Sequence, residues 1–408
     1  LREAGRSGGA GRKRRRTTRG LVAAQLAAAV VLVVSAGLLA RSLVALNRVD
    51  PGFTTDARIT ARVDLAPGLP ADPEARALVM DDLEQALVAD PELRGVALAS
   101  TIPFGSEDEF VATFIPGVTD DPNALPTARH HRVTPDFFAV AGIEVVRGRG
   151  FTDADRVGSP LVAVVDETFV QTLFGGEDPI GRTVRYPWRG APDIEIVGVV
   201  SSTRHGDLSG ERDATYYVPM AQMTFGVLGH AVVVAEAAGD PAAAMGALMR
   251  RVRDLDDRMA VSDLQNYDER LAASLVGTRL MATLLMLFAG TALVLGCVGV
   301  YGVAAFSVRE RLREIGVRMA MGASAEGIRR EVLREGLAMA VPGGVLGLVI
   351  AFFATRALDG LLFGVAPLDP LTFVTVPLVL GAAALLAVYV PARRATLVDP
   401  AIVLRGEG

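Results

Sequence analysis

The sequence predicts an α+β membrane protein: four transmembrane helices, with a large mixed α/β extracytoplasmic domain between the first and the second. Three observations carry that prediction. Four runs carry no charge, at Leu21–Ala40, Leu280–Val308, Gly336–Thr355 and Leu371–Val390, and twenty apolar residues at about 1.5 Å each cross a bilayer core of about 30 Å. Between the first two runs lies Asn47–Thr278, a long stretch of soluble composition. Finally, Lys and Arg are unevenly spread. Eight precede the first run, seven lie between the second and third, three follow the fourth, and none falls in Asp359–Pro370. Basic segments stay in the cytoplasm. Both termini and the loop 307–335 are therefore expected inside, and Asn47–Thr278 outside. That domain holds 36 acidic and 20 basic residues, a net of −16, whereas the rest of the chain is at +11.

Composition narrows the function classes. With 51% hydrophobic and 21% charged residues, the chain is too apolar for an average soluble protein and too charged for one wholly in the membrane. Its single cysteine, Cys297, lies in an apolar run, so no intramolecular disulfide can form. Lys13 is the single lysine and stands between Arg12 and Arg14. A phosphate-binding P-loop needs Gly-Lys followed by Ser or Thr, so any ATP chemistry belongs to another chain. The first residue, Leu1, reads as an internal start within a longer chain.

Taken in order, 1–20 is a basic cytoplasmic tail suited to anionic lipid, without the aromatic residues or fold signals of a nucleic-acid binder. Residues 21–46 form the first span. A cleaved signal peptide competes with that reading, but the run is long for one and no small-residue cleavage site follows. Residues 47–278 form the external domain. Ile59, Ala61, Val63 and Leu65 alternate as a half-buried strand. A helix follows over 74–88 with Leu78, Val79, Leu83, Ala86 and Leu87 on one face, then a strand at Val96–Ser100. The order repeats as a strand at Ala231–Ala235, a helix capped by Asp240 with Pro241 first, and a strand at Ala260–Leu264. Two β-α-β units thus flank an insert of about 101–229. The insert is β-rich, with strands at Val111–Ile115, Arg129–Val133, Leu161–Val165 and Ile194–Val200, and a helix at Glu167–Phe174.

The remaining spans are 279–306, 336–358 and 371–390, with an external loop at 359–370 and a cytoplasmic tail at 391–408. Gly343 and Gly347 form a G-x-x-x-G, which lets helix backbones approach closely. Pro342 and Pro377 are expected to kink their helices.

Catalytic and metal chemistry find no support. His130 and His131 are adjacent on a strand and point to opposite faces. His205 and His230 lack ligand spacing. Asp153 and Asp155 lack the Gly and closing Glu of a calcium loop. Glu107-Asp108-Glu109 reads as a solvated turn. No catalytic residue, cofactor or metal site is expected.

The informative stretch is Ser307–Glu335, with seven arginines. Val308, Leu312, Ile315 and Met319 fall on one helical stripe. Glu314 and Arg318 are an i, i+4 pair of favourable order. Gly322 breaks the helix, and Ser324 caps a second one with Glu326 in its first turn. Such an element lies flat at a membrane face, with one side free for a partner. The plainer reading is a basic loop that only obeys the orientation rule.

The string Arg313-Glu314-Ile315-Gly316-Val317-Arg318-Met319-Ala320-Met321-Gly322-Ala323 resembles the coupling-helix motif of MacB/FtsX-type permeases of ABC transporters. V-T-P-D-F-F-A-V-A-G-I from Val133, R-G-R-G-F-T-D-A-D from Arg147 and D-P-I-G-R-T-V from Asp178 resemble that family's extracytoplasmic domain. The run from Pro391 through Arg393, Arg394, Asp399 and Pro400 resembles its closing motif. The start at Leu1 resembles the second half of a duplicated permease. The resemblance implies a non-catalytic permease subunit of the bacterial inner membrane. A separate ABC ATPase would contact Arg313, Glu314, Ile315, Gly316, Arg318, Met319, Gly322 and Ala323. Permease modules would pair as a dimer or pseudo-dimer, with a periplasmic adaptor as a further partner. ATP-driven motion of the outside domain would export or extract a drug, peptide or lipoprotein by mechanotransmission. The alternative is a regulator passing that motion to a cell-wall hydrolase. A secondary transporter would need inverted repeats and buried charges, which four spans do not offer.

Overall fold

A computed structural model describes residues 7–68, 72–105, 107, 109–119, 125–188, 190–222 and 229–396. The chain forms two units, Leu1–Arg48 with Gly277–Gly408, and Val49–Val276. Asp399 and Pro400 lie outside the described residues.

Helix α1 (Ser7–Leu46) opens the first unit. The second unit then begins with β1 (Arg58–Asp64), α2 (Pro73–Val88) and β2 (Leu93–Ala99). Its insert holds β3 (Phe110–Ala112), β4 (Thr127–Val133), α3 (Phe137–Ala141), β5 (Val145–Gly148), β6 (Val162–Asp166), α4 (Glu167–Phe174), β7 (Thr183–Val184), β8 (Ile194–Val200) and β9 (Thr215–Pro219). It closes with β10 (His230–Ala237), α5 (Pro241–Leu255), β11 (Ala260–Asn266) and α6 (Tyr267–Ser274).

The two β-α-β units interleave. The sheet begins β11-β1-β10-β2, and each neighbouring pair is antiparallel. Each unit's own strands are therefore parallel with a strand of the other unit between them, the split β-α-β arrangement. Both helices start on an aspartate cap followed by proline. The Asp72 carboxylate accepts from the Ala75 amide at 3.0 Å, and Asp240 accepts from Ala242 at 3.1 Å. Leu83 and Leu87 of α2, Leu248 and Val252 of α5, and Ile59, Val63, Leu98 and Val233 of the strands share one core. Leu78 departs from the expected stripe. It is 66% exposed and Met80 takes its place in the core. At about 100° per residue, Leu78 points directly away from Leu87.

The insert prolongs the sheet as β4-β9-β6-β8-β5, with β3 on β4 and β7 on β8. The seam with the first four strands is narrow. One residue pair, Ala99 with Val133, joins β2 to β4, flanked by Ser100 N–H to Arg132 C=O at 2.8 Å and Thr134 N–H to Leu98 C=O at 2.9 Å. A second core of Val165, Phe169, Val170, Phe174, Ile196 and Tyr216 fills the insert. Helix α6 is tied down at its start. The Tyr267 hydroxyl donates to Pro103 C=O at 3.0 Å, and the Arg270 guanidinium reaches Thr60 Oγ1 at 3.1 Å and the Asp263 carboxylate at 2.8 Å.

The first unit resumes with α7 (Val276–Glu310), α8 (Leu312–Ala320), α9 (Ala325–Ala354) and α10 (Pro370–Thr396). Among the described residues, four helices are long and apolar enough to cross a membrane: Gly20–Leu46, Val276–Glu310, Ala325–Leu358 and Pro370–Thr396. α9 runs through Pro342 and α10 through Pro377 and Pro391 without a break in either helix. α1 packs on α9 and α10 through Ala29, Val34, Leu38, Ala351 and Leu380. Gly343 and Gly347 face Ala23 and Ala27 of α1, where a Cβ would stand 2.7 and 2.8 Å from the two carbonyl oxygens.

Candidate functional site

The stretch 307–335 forms a helix–break–helix–turn–helix. α7 ends at Glu310, and Arg311 leaves helical geometry at φ −110°, ψ 10°. α8 then runs nine residues. Its end follows from Gly322, at φ +95°. The Gly322 N–H donates to Met319 C=O at 3.0 Å and the Ala323 N–H to Arg318 C=O at 2.9 Å. This pair of bonds is a Schellman motif, and its left-handed residue favours glycine. Ser324 Oγ next accepts from the Gly327 amide at 3.2 Å and starts α9.

The apolar stripe survives the break at Arg311. Val308, Ile315 and Ile328 are buried together with Ala395 of α10, and Leu312, Met319 and Val332 pack against them. α8 is therefore pinned by the ends of α7, α9 and α10. Pro391 and Ala392 are buried and Arg393 and Arg394 exposed, so the segment from Pro391 is a final helical turn that supports α8.

The outward side is charged. The Arg318 guanidinium meets Glu314 at 2.5 Å and Glu331 of α9 at 3.3 Å. Arg311 meets Glu335 at 2.6 Å, which closes the break onto α9. Arg313, Glu314, Arg318, Gly322 and Ala323 are exposed, and Ile315 and Gly316 are buried. Val317 and Met321, 39% and 78% exposed, add an apolar tip. Pattern reading missed that tip, and it missed Glu331 and Glu335, whose spacing from Ile328 and Val332 on α9 could have placed them beside α8.

The candidate chemical residues of the external domain bond to neighbours within that domain. His130 contacts the Tyr186 hydroxyl through Nε2 at 3.1 Å, and Glu109 lies 3.5 Å from its Nδ1. His131, on the other face of β4, bonds the Thr101 carbonyl through Nδ1 at 3.1 Å and lies 5.1 Å from the His205 ring. Burial pushes the His131 imidazole down to about 4. Asp155 is held by Arg149 at 2.7 and 3.0 Å and by the Thr152 amide at 2.9 Å. Glu107 pairs with Arg62, and Glu109 with Arg132 at 3.0 Å. Both acids keep solvent access, Glu107 being exposed, while facing these basic partners. Among the described residues, no three His, Cys, Asp or Glu side chains gather as metal ligands.

Residues 27–255 match the MacB-like periplasmic core domain, and residues 286–400 match the FtsX-like permease C-terminal domain. The macrolide export ATP-binding/permease protein MacB of Marinobacter nauticus is 30% identical over 277 residues, which is 64% of this chain and 41% of that protein. The pyoverdine export ATP-binding/permease protein PvdT of Pseudomonas entomophila is 28% identical over 286 residues, 66% of this chain and 42% of the relative. The chain thus spans about two-fifths of the length of these curated relatives. The periplasmic region of MacB from Actinobacillus actinomycetemcomitans aligns over 53% of this chain and 91% of its own, at 18% identity and a TM-score of 0.36. With one domain match covering more than half of the sequence and the other reaching three of its four membrane helices, the chain belongs to the MacB/FtsX-type family of ABC transporter permeases.

Proposed function

We propose that this chain is a permease subunit that takes its power from a separate ATPase at α8 and delivers it as motion of the external domain. The observation that carries the reading is the two-sidedness of α8. Ile315 is buried with Val308, Ile328 and Ala395, while Arg313, Glu314, Val317 and Met321 face away from the bundle. A push on the exposed side of so short a helix passes to the three spans that grip its other side. Lys13 is the single lysine and lacks P-loop neighbours, so these 408 residues hold no P-loop of their own. Both termini and α8 lie in the cytoplasm in this reading, and permease modules work in pairs. Export is the activity that the names of the relatives suggest. The test is co-purification of the partner ATPase with Glu314→Arg, normalised to inserted protein. The variant should lose most of the ATPase. Retention at the parent level would return α8 to the role of a basic loop.

A further inference from the structure

The displaced Leu78 borders an open cleft of about 630 Å³ in the external domain. One wall is α2, with Leu78, Met80, Asp81 and Glu84. The other is the loop Thr152–Val157 of the insert, and the floor is Thr134, Pro135, Pro219 and Met220. The walls belong to the two halves of the sheet, and Thr134 adjoins the single-pair seam between β2 and β4. Clefts of some 300–1,000 Å³ at such junctions are where small molecules bind.

The walls are of two kinds. Leu78 and Val157 are 66% and 52% exposed and make an apolar surface inside a concavity, beneath which the core residues Met80 and Met220 lie buried. Beside it stand the carboxyl groups of Asp81, Glu84, Asp153 and Asp155. Arg149 already neutralises Asp155 at 2.7 Å. Arg156 is the one guanidinium among the described lining residues, so the cleft keeps an excess of negative charge. Glu84 is the group most in need of a cation. It accepts a hydrogen bond from Thr134 Oγ1 at 2.6 Å, and no described basic side chain reaches it. Burial pushes its carboxyl up to about 7, and Asp136, Asp81 and Asp153 add to the rise. A carboxyl shielded by apolar neighbours and facing other carboxylates gains most from a cation that brings its own apolar cover.

We propose that this cleft binds an amphipathic amine, with its ammonium group on Glu84 and its apolar body over Leu78 and Val157. The proposal is independent of what docks on α8. A free anion meets the wrong charge, and a hydrated divalent cation would leave the apolar wall bare.

The test uses the full chain in lipid nanodiscs and two fluorescent probes. Dansylcadaverine carries an apolar ring and a primary amine; dansylglycine carries the same ring and a carboxylate. Dansylcadaverine should bind saturably above the level of empty nanodiscs, and dansylglycine should not. Glu84→Gln keeps an acceptor for Thr134 and should weaken binding about tenfold or more, the scale of a lost charged hydrogen bond. Leu78→Ser, at an exposed position, should also weaken it, with both variants melting as the parent does. Magnesium at millimolar concentration should not displace the probe. The proposal fails if the parent binds no more than empty nanodiscs, if dansylglycine binds equally, if Glu84→Gln binds as the parent does, or if magnesium displaces the amine.

Discussion

Gly347 of α9 rests so closely on Ala27 of α1 that a Cβ at position 347 would stand 2.8 Å from the Ala27 carbonyl oxygen and 2.6 Å from the Val30 Cβ. One turn earlier, Gly343 meets Ala23 in the same way. Ala23 and Ala27 form a small-x-x-x-small pair opposite the G-x-x-x-G. Lipid offers helices no hydrophobic drive to associate, so such close packing decides their affinity. Gly347→Leu should force α1 and α9 apart at a cost of about 1–3 kcal/mol or more. It should lower the melting temperature in detergent and the yield of inserted protein. Gly344→Leu is the control, because its Cβ would meet nothing within 4 Å. Equal effects of the two substitutions would show that this contact does not hold the helices.

Helix starts were legible because they rest on local chemistry. Asp240 with Pro241, and Ser324, each announce a cap that the structure forms. Alternation found β1 for the same reason. The way these units interleave was not legible, since β1 pairs with β10 across the whole insert and no local pattern encodes that pairing. Strands β5 and β9 were missed because β5 is four exposed residues at a sheet edge and β9 is five buried ones, so neither alternates. At α8 the stripe of Ile315 and Met319 was legible, but the exposure of Met321 was not. It depends on the turn at Gly322, which carries residue 321 away from the bundle.

The His131 imidazole should make the external domain sensitive to acid. Burial holds it at about 4 in the folded chain against 6.5 for the ordinary group. Between pH 6.5 and 4 the unfolded chain binds a proton that the folded chain refuses, so stability falls as pH falls through that window. From pH 6.5 to 5 this amounts to about 2 kcal/mol. Glu84 and Asp166, both pushed up to about 7 by burial, act in the opposite sense, because the folded chain keeps their protons. The comparison must therefore be made between variants. His131→Gln should be less stable than the parent at pH 7.5, and the gap should narrow by about 2 kcal/mol by pH 5. A gap that stays constant in thermal melts would mean that His131 titrates like an exposed histidine.

The orientation rests on the distribution of eight, seven, zero and three basic residues around the four spans. Ser209 is exposed in the external domain, and Ser324 is exposed at the cap of α9. In intact cells, Ser209→Cys should react with a membrane-impermeant maleimide, whereas Ser324→Cys should react only after permeabilisation. The native Cys297 variant-free chain supplies the background. The reverse pattern would invert the protein in its membrane.

The apolar tip of α8 separates docking from folding more sharply than its charges do. Met321 is 78% exposed and Val317 39%, whereas Ile315, within the same turn and a half, is 8% exposed. Glu314 and Arg318 already satisfy one another, so a charge change there acts partly within the helix. Exposed Met321 has no such internal role. An apolar anchor ringed by charged groups is the usual form of an interface hot spot, worth about 2 kcal/mol or more. Met321→Asp should therefore weaken ATPase binding by roughly thirtyfold while leaving the amount of inserted protein unchanged. Ile315→Asp places a charge among Val308, Ile328 and Ala395 and should lower the inserted protein itself. Both quantities can be read from one experiment, as ATPase captured per permease and permease recovered per cell. If Met321→Asp captures the ATPase as well as the parent does, the exposed tip is not where the force enters. If Ile315→Asp is recovered at the parent level, α8 is not gripped by the spans, and a push on it would reach nothing.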